Sequence, residues 1–217
     1  MSQATGTSAR MQTVNPSEQD PQEIYKLLVG AVVPRPIAFV SSTDEHGVRN
    51  LAPFSFFTVA SANPPIVCFC PMIRGANQGN LQSTKDTLRN IIATREYVVN
   101  IVSEEFSLQM NACSADLPPE IDEFEISGLT PLASELVRPP RVAESHVQME
   151  CRLEQIVHVS AKPLGGSLVL GEVLRFHIRQ SMLDNFRIDP EQLHAIGRMA
   201  GSTYARTRDR FEMERPK

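Results

Sequence analysis

Eight consecutive residues, Asn50-Leu51-Ala52-Pro53-Phe54-Ser55-Phe56-Phe57, constrain this chain most, because they have the composition of a β-strand yet contain a residue that a central strand cannot hold. Proline has no backbone N–H to donate to a neighbouring strand. The segment must therefore lie on a sheet edge, at a bulge, or where its backbone groups stay available for something else. It follows a strand-like run over residues 37–42 across the turn Asp44-Glu45-His46-Gly47. Small or polar Asn50, Ala52 and Ser55 interleave with Leu51, Phe54 and Phe56. That alternation suits a flat, apolar molecule with polar edges lying against backbone N–H and C=O groups. The plain alternative is an ordinary bulged edge strand.

Around this segment the pattern is mainly β. A short helix opens at Pro21, with Glu23 in its first turn, and stops before Pro34. Residues 36–42, 49–60 and 66–70 read as strands of an antiparallel meander, separated at His46-Gly47 and at Asn63-Pro64-Pro65. A glycine-containing loop over 74–79 leads through Ser83-Thr84-Lys85-Asp86-Thr87 into a helix whose Leu88, Ile91 and Ile92 recur at i, i+3, i+4. Asp86 is its capping candidate. A strand over 97–102 precedes a helix over 103–115 opened by Ser103, and a proline-rich, acidic excursion then runs from 117 to 140. Two long strands follow. The first, 147–159, alternates through Met149, Cys151, Leu153 and Ile156, and the second, 167–178, reads as Leu168, Leu170, Val173 and Phe176. A helix near Asp189 and a glycine-punctuated stretch over 196–204 complete the chain.

Strands outnumber helices and no βαβ alternation is present, so a nicotinamide cofactor would have no Rossmann domain to bind. Residues 1–20 are polar and form a flexible arm, and 21–217 make a single domain with a C-terminal extension. A formal charge of −4 argues against a nucleic-acid binder, which needs clustered Lys and Arg to neutralise phosphates. No run approaches the ~18 apolar residues of a membrane span, and the first residues lack an apolar signal core. Cys68, Cys70, Cys113 and Cys151 lack the second close pair and the histidine spacing of a zinc site. They read as buried small hydrophobes in a reducing compartment, so cytoplasmic residence is expected.

Five motifs occur in order: Pro34-Arg35-Pro36-Ile37-Ala38-Phe39-Val40-Ser41-Ser42, the segment from Asn50 to Phe57, Asn63-Pro64-Pro65, Lys85-Asp86-Thr87-Leu88-Arg89-Asn90-Ile91, and Gly171-Glu172-Val173. Together they resemble the flavin reductase-like family, the FMN-binding split barrels that include reductase components of two-component monooxygenases and the flavoredoxins. The resemblance spans roughly residues 25 to 205. It implies a homodimeric, antiparallel Greek-key split β-barrel, mainly β with flanking helices, with FMN at the subunit interface and FAD as the other candidate flavin.

On that resemblance, Asn50, Leu51, Ala52, Pro53, Ser55 and Phe56 line the flavin ring, with backbone at 51–53 on its pyrimidine edge and hydrogen bonds from Asn50 and Ser55. Lys85, Asp86 and Thr87 offer a cation, a cap and a hydroxyl at a helix start, which suits the flavin phosphate. Arg35, held between two prolines, is a further phosphate candidate. Arg198, in Gly197-Arg198-Met199-Ala200-Gly201, is a candidate contact to flavin or nicotinamide phosphate, with His194 and Tyr204 close in sequence. The implied reaction passes hydride from NADH or NADPH to the flavin, and the electrons go on to a monooxygenase or another electron-transfer partner; no triad or metal is required. One departure stands out. Many family members carry Gly-Asp-His before the Gly-Glu-Val strand, and this chain has Gly165-Gly166-Ser167. The implied nicotinamide use thus stays open against a flavoredoxin-like electron carrier, or a barrel that has lost its flavin.

Overall fold

The computed structural model describes residues 10–73 and 85–216. The helices are α1 (Pro21–Ala31), α2 (Asp86–Thr94), α3 (Ser107–Ala112), α4 (Glu123–Ser127) and α5 (Pro190–Leu193). The main strands are β1 (Ala38–Thr43), β2 (Arg49–Phe54), β3 (Phe57–Ala62), β4 (Pro65–Phe69) and β5 (Glu96–Ile101). Short β6 (Pro131–Leu132) and β7 (Arg141–Val142) precede the long β8 (Val147–His158) and β9 (Ser167–Ile178). Two small hairpins follow, β10 (Leu183–Asp184) with β11 (Arg187–Ile188), and β12 (Ile196–Arg198) with β13 (Tyr204–Arg206). No helix among the described residues is long and apolar enough to cross a membrane.

Seven strands form one antiparallel sheet in the order β2-β1-β5-β8-β9-β4-β3. Strands β2 and β3 are its two opposite edges, yet only Ser55 and Phe56 lie between them in sequence. Three Cα–Cα steps of 3.8 Å reach about 11 Å at most, so the two edges must curl round to meet. The sheet is thus closed into a barrel by a covalent link instead of a ladder of hydrogen bonds, which is the geometry of a split barrel. The expected single strand over 49–60 and the simple meander are corrected accordingly. What reads as one strand is two, at opposite edges, broken where the chain leaves one side of the split for the other.

The barrel interior is filled by Ala38, Val40, Phe54, Phe69, Val99 and Met149 with their neighbours, and α2 adds Leu88 and Ile91 to the same cluster. The opposite face of β1 is buried as well, since Phe39 packs with Phe106, Met110 and Phe124 beneath α3 and α4. Register shifts explain two sequence readings. In β8, Met149, Cys151 and Leu153 point inward as expected, and a shift between Leu153 and Gln155 lets Ile156 join them. In β9 the inward residues are Val169 and Val173, with Gly171 between them, whereas Phe176 is 51% exposed. The expected set had followed residue size instead of strict alternation. Gly171 is small for a reason: a Cβ there would lie 1.9 Å from the Tyr97 hydroxyl, whose ring fills that side of the core.

Other expectations change in detail. The helix over 103–115 is a 3₁₀ turn followed by α3, with no side-chain cap from Ser103. The excursion over 117–140 contains α4, capped by Asp122, whose Oδ1 accepts from the Phe124 N–H at 2.9 Å. The helix expected near Asp189 is α5, and Asp189 caps it. The expected loop over 74–79 and the Ser83-Thr84 helix lead lie outside the described residues, as do residues 1–9 of the N-terminal arm.

Candidate functional site

Strand β2 is an edge, and its chemistry follows from that. The Leu51 N–H points away from the sheet and donates to Glu123 Oε2 at 2.9 Å. Pro53, two residues on, shares that outward direction, so its missing N–H removes no ladder bond. Glu123, in the first turn of α4, is buried and also accepts from Asn50 Nδ2 at 2.8 Å through Oε1. Asn50 Oδ1 in turn accepts from Thr87 Oγ1 at 2.6 Å, and Ser42 and Asn90 extend the network behind it. Burial pushes the Glu123 carboxyl above its ordinary value, and the nearby Asp86 and Asp122 push the same way against the backbone N–H groups of Leu51 and of Glu123 itself, which favour the charge.

Six of the eleven sequence candidates surround one small cavity of about 60 Å³: Asn50, Ala52, Pro53, Lys85, Asp86 and Thr87. Glu123 and the Cys113–Ala115 turn complete its wall. Lys85 sits at the N-cap position of α2, with Nζ 3.2 Å from Asp116 Oδ1. Lys85 and the positive end of a nine-residue helix favour an anion in this hollow, against the Asp86 and Glu123 carboxylates of its lining, which Arg89 and the donors of Asn50 and Leu51 partly offset. Its size admits a phosphate-sized group and excludes a tricyclic ring. The polar atoms expected to meet ligand are partly committed to protein. The Asn50 amide and the Thr87 hydroxyl are bonded to Glu123 and to one another, and both side chains are buried. Asp86 is not the helix cap; it stands in the first turn and pairs with Arg89 three residues on. Leu51 turns its side chain into the core, away from the cavity.

Arg35, Ser55 and Phe56 border a different space, an apolar groove of about 470 Å³ walled by Leu28, Val32, Pro34 and Phe57. Arg35 is a clamp and not a surface cation. Its Nη1 donates to the Val29 and Val32 carbonyls at 2.6 and 2.8 Å, closing the C-terminus of α1, and Nη2 donates to the Met199 carbonyl at 2.9 Å. Burial lowers its pKa, an effect reinforced by Arg198 and opposed by Tyr25. The expected reach of Arg35 to phosphate is therefore corrected: the guanidinium is turned into the protein. Arg198 meets Arg35 backbone to backbone, the Arg35 N–H donating to the Arg198 carbonyl at 3.0 Å and the reverse bond measuring 2.8 Å. Gly197 permits that approach, since a Cβ there would lie 2.8 Å from Pro34 Cβ. The Arg198 side chain diverges to stack 4.5 Å from the Tyr204 ring centroid, in a third hollow beside α3. His194 pairs with Glu105.

Sequence reasoning missed Glu123, which lies within the acidic excursion. An Asp-Glu pair at a helix start is visible in sequence, but nothing local shows that its side chain reaches back to β2. Within the Gly171-Glu172-Val173 motif, Gly171 makes room for the Tyr97 ring in the core.

An antiparallel barrel whose split is bridged by the chain itself defines the class by its fold, and the comparisons give its family. Residues 29–210 match the family model of the flavin reductase like domain, and the chain belongs to this family. It is similar to nitrilotriacetate monooxygenase component B from Bacillus cereus, at 38% identity and a TM-score of 0.88, covering 95% of this chain and all of that one. It is also similar to the 2-nitrobenzoate 2-nitroreductase NbaA from Pseudomonas fluorescens, at 30% identity and a TM-score of 0.83 over 94% of this chain and 96% of that one. An uncharacterized protein of Aquifex aeolicus is 40% identical over 87% of this chain and 92% of its own. The fold alone is shared with a Shewanella frigidimarina protein described as having a split barrel domain, at 19% identity and a TM-score of 0.78, over 92% of this chain and 96% of that one. The family implies a flavin, as cofactor or as substrate, and oxidoreductase chemistry.

Proposed function

We propose that this protein is an NAD(P)H-dependent flavin reductase that binds FMN along the split of its barrel and passes electrons to a partner. One observation carries the reading. The small anion-favouring cavity at Lys85 and the large apolar groove at Phe56 flank the same stretch, Pro53 to Phe57, one on each side of the link between β2 and β3. A molecule with a phosphate at one end and a flat apolar ring at the other fits that pair of spaces, and a phosphate-sized cavity favours FMN over FAD. A bound flavin supplies the two-electron acceptor chemistry. Lys85, the first turn of α2, Ala52 and Pro53 surround the anionic end, and Ser55 offers the ring a hydroxyl at the groove. Phe56 and Phe57 keep water from one side of it.

The groove opens between α1, with Leu27 and Leu28 about half exposed, and the edge strand β3, where Val59 is 68% exposed. A second copy covering this face would complete the wall, which supports the homodimer the resemblance implies. The similar protein named as a monooxygenase component supports an oxygenase as the acceptor.

The test mixes purified protein with excess FMN and either NADH or NADPH and follows the nicotinamide absorbance band. FMN-dependent loss with at least one nucleotide is expected, and no loss with either refutes the enzyme reading. Lys85→Met should weaken FMN binding about 10-fold while leaving riboflavin, which lacks the phosphate, unchanged. A second reading, an FMN electron carrier reduced by a protein donor, is favoured by Gly165-Gly166-Ser167. There the Ser167 hydroxyl is bonded to His158 Nδ1 at 2.9 Å, instead of a histidine standing free in the turn. Retention of FMN with reduction by a ferredoxin-type donor but by neither nucleotide selects it.

A further inference from the structure

At the far end of the β8–β9 ladder from its connecting turn lies a cavity of about 510 Å³ that the flavin reading does not use. Gln148 and His177 are cross-strand partners, and the Arg179 N–H donates to the His146 carbonyl at 3.0 Å, which continues the ladder by one pair. Residues two apart on a strand share a face. His146, Gln148, His177 and Arg179 therefore project together, on the side opposite Met149 and Cys151, which enter the barrel core. Arg141 reaches the same face from β7, its Nη1 3.0 Å from Gln148 Oε1.

The cavity lining holds two arginines and two histidines and no carboxylate, in a chain whose net charge is −4. The acids nearby are already engaged. Glu150 accepts from the N–H groups of Glu135 and Leu136 at 2.9 and 2.6 Å and meets His177 Nε2 at 2.6 Å, Glu135 pairs with Arg175, and Glu105 pairs with His194. Arg179 is exposed, and among the described residues its guanidinium has no hydrogen bond or ion pair. His146 is 9% exposed, and its Nδ1 is buried without a partner among the described residues. A bare lone pair there costs less than an orphaned N–H, so the ring proton belongs on Nε2, leaving a donor on a ring that lines the cavity. Burial lowers the His146 pKa, Arg179 lowers it further, and Glu105 opposes them, so the ring acts as a neutral donor beside the arginine charges.

We propose that this hollow between Arg141, His146 and Arg179 is a second ligand site, for the oxyanion of a small phosphomonoester or dicarboxylic acid. The Arg179 guanidinium, the N–H groups that Arg141 keeps after bonding the Ala133 carbonyl and Gln148, and the His146 N–H match the several acceptor oxygens of a dianion, and the space is larger than a lone inorganic ion needs.

The experiment titrates the full chain with inorganic phosphate and, separately, with succinate at fixed ionic strength, with chloride as the charge control. Affinity is read by calorimetry, and position by the ring resonances of the five histidines, assigned with His146→Gln. The expected result is binding of at least one dianion, movement of the His146 resonances, and a loss of at least 10-fold in Arg179→Ala. Arg187→Ala, at an exposed arginine in β11, should bind as the wild type does. Which dianion binds identifies the phosphoryl or carboxylate source. Absence of binding by both, binding that Arg179→Ala leaves unchanged, movement of other histidines only, or equal binding of chloride overturns the proposal. Among the described residues Arg179 makes no side-chain hydrogen bond or ion pair whose loss would unfold the protein, so a negative result with this variant counts.

Discussion

Replacing Glu123 by alanine tests how the edge strand of the barrel is held. In the native arrangement its two oxygens accept from Asn50 Nδ2 at 2.8 Å and from the Leu51 N–H at 2.9 Å, in a buried setting. A hydrogen bond to a charged group contributes about 1.5–3 kcal/mol, and a buried donor left unpaired costs about 1–3 kcal/mol. Against this, Glu123 carries a burden of its own. Burial raises its pKa, with Asp86 and Asp122 adding to the rise, and removing the charge returns part of the loss. The balance is a destabilisation of about 2–4 kcal/mol, a large share of a typical domain's 5–15 kcal/mol. Glutamine keeps the shape and one acceptor. The Asn50 amide can turn to offer its oxygen while Thr87 accepts, so Glu123→Gln should cost about 1–2 kcal/mol. Urea unfolding reads both, as a lower midpoint at unchanged slope. An alanine variant within about 0.5 kcal/mol of the wild type would refute the view that Glu123 anchors β2.

Arg35→Ala removes three bonds to backbone carbonyls and should destabilise by about 3 kcal/mol, seen as a lower thermal midpoint, and because Arg35 borders the groove and not the phosphate end, the affinities for FMN and for riboflavin should change alike. A selective loss of FMN binding would instead return Arg35 to the phosphate. Tyr97→Phe removes a buried hydroxyl that meets no partner beyond the Cys151 thiol, so it should be neutral or stabilising by up to about 1 kcal/mol in chemical denaturation. Glu150 is driven up by burial but more strongly down by the Glu135 and Leu136 N–H groups and His177, so its folded pKa lies below the ordinary 4.5. Its contribution is therefore present above that pH and is lost as the pH falls through the folded value. Glu150→Gln should flatten the acid limb of the stability profile below about pH 4.5, and an unchanged acid limb would contradict the assignment.

How far the sequence reached can be judged element by element. Pro53 announced an edge strand because a missing N–H is a property of the residue itself, independent of the fold. The periodic runs placed β1, β4, β5, β8, β9 and α2 within a residue or two, since alternation and i, i+3, i+4 spacing report which side of an element is buried. The split did not show, because the pattern of residues 49–60 offers a bulge or an edge at Pro53 but no turn separating two runs, and only closure of the sheet decides that Ser55 and Phe56 must join two edges. Candidate residues fared according to what else competes for them. Ala52, Pro53 and Lys85 border the small cavity, whereas Arg35, Asn50 and Thr87 are drawn into partners contributed by distant segments: the α1 carbonyls, Glu123 and Met199.

By itself, then, the sequence determined a mainly antiparallel β domain with a proline-marked edge and a lysine-led helix start, because those are consequences of local covalent structure and spacing. Tertiary structure alone decided which polar groups remain available to a ligand. A buried donor or acceptor must find a partner within about 3 Å, and whether that partner is protein or ligand depends on what the rest of the chain brings beside it. Glu123 reaching β2, and Arg35 closing α1, are choices of that kind.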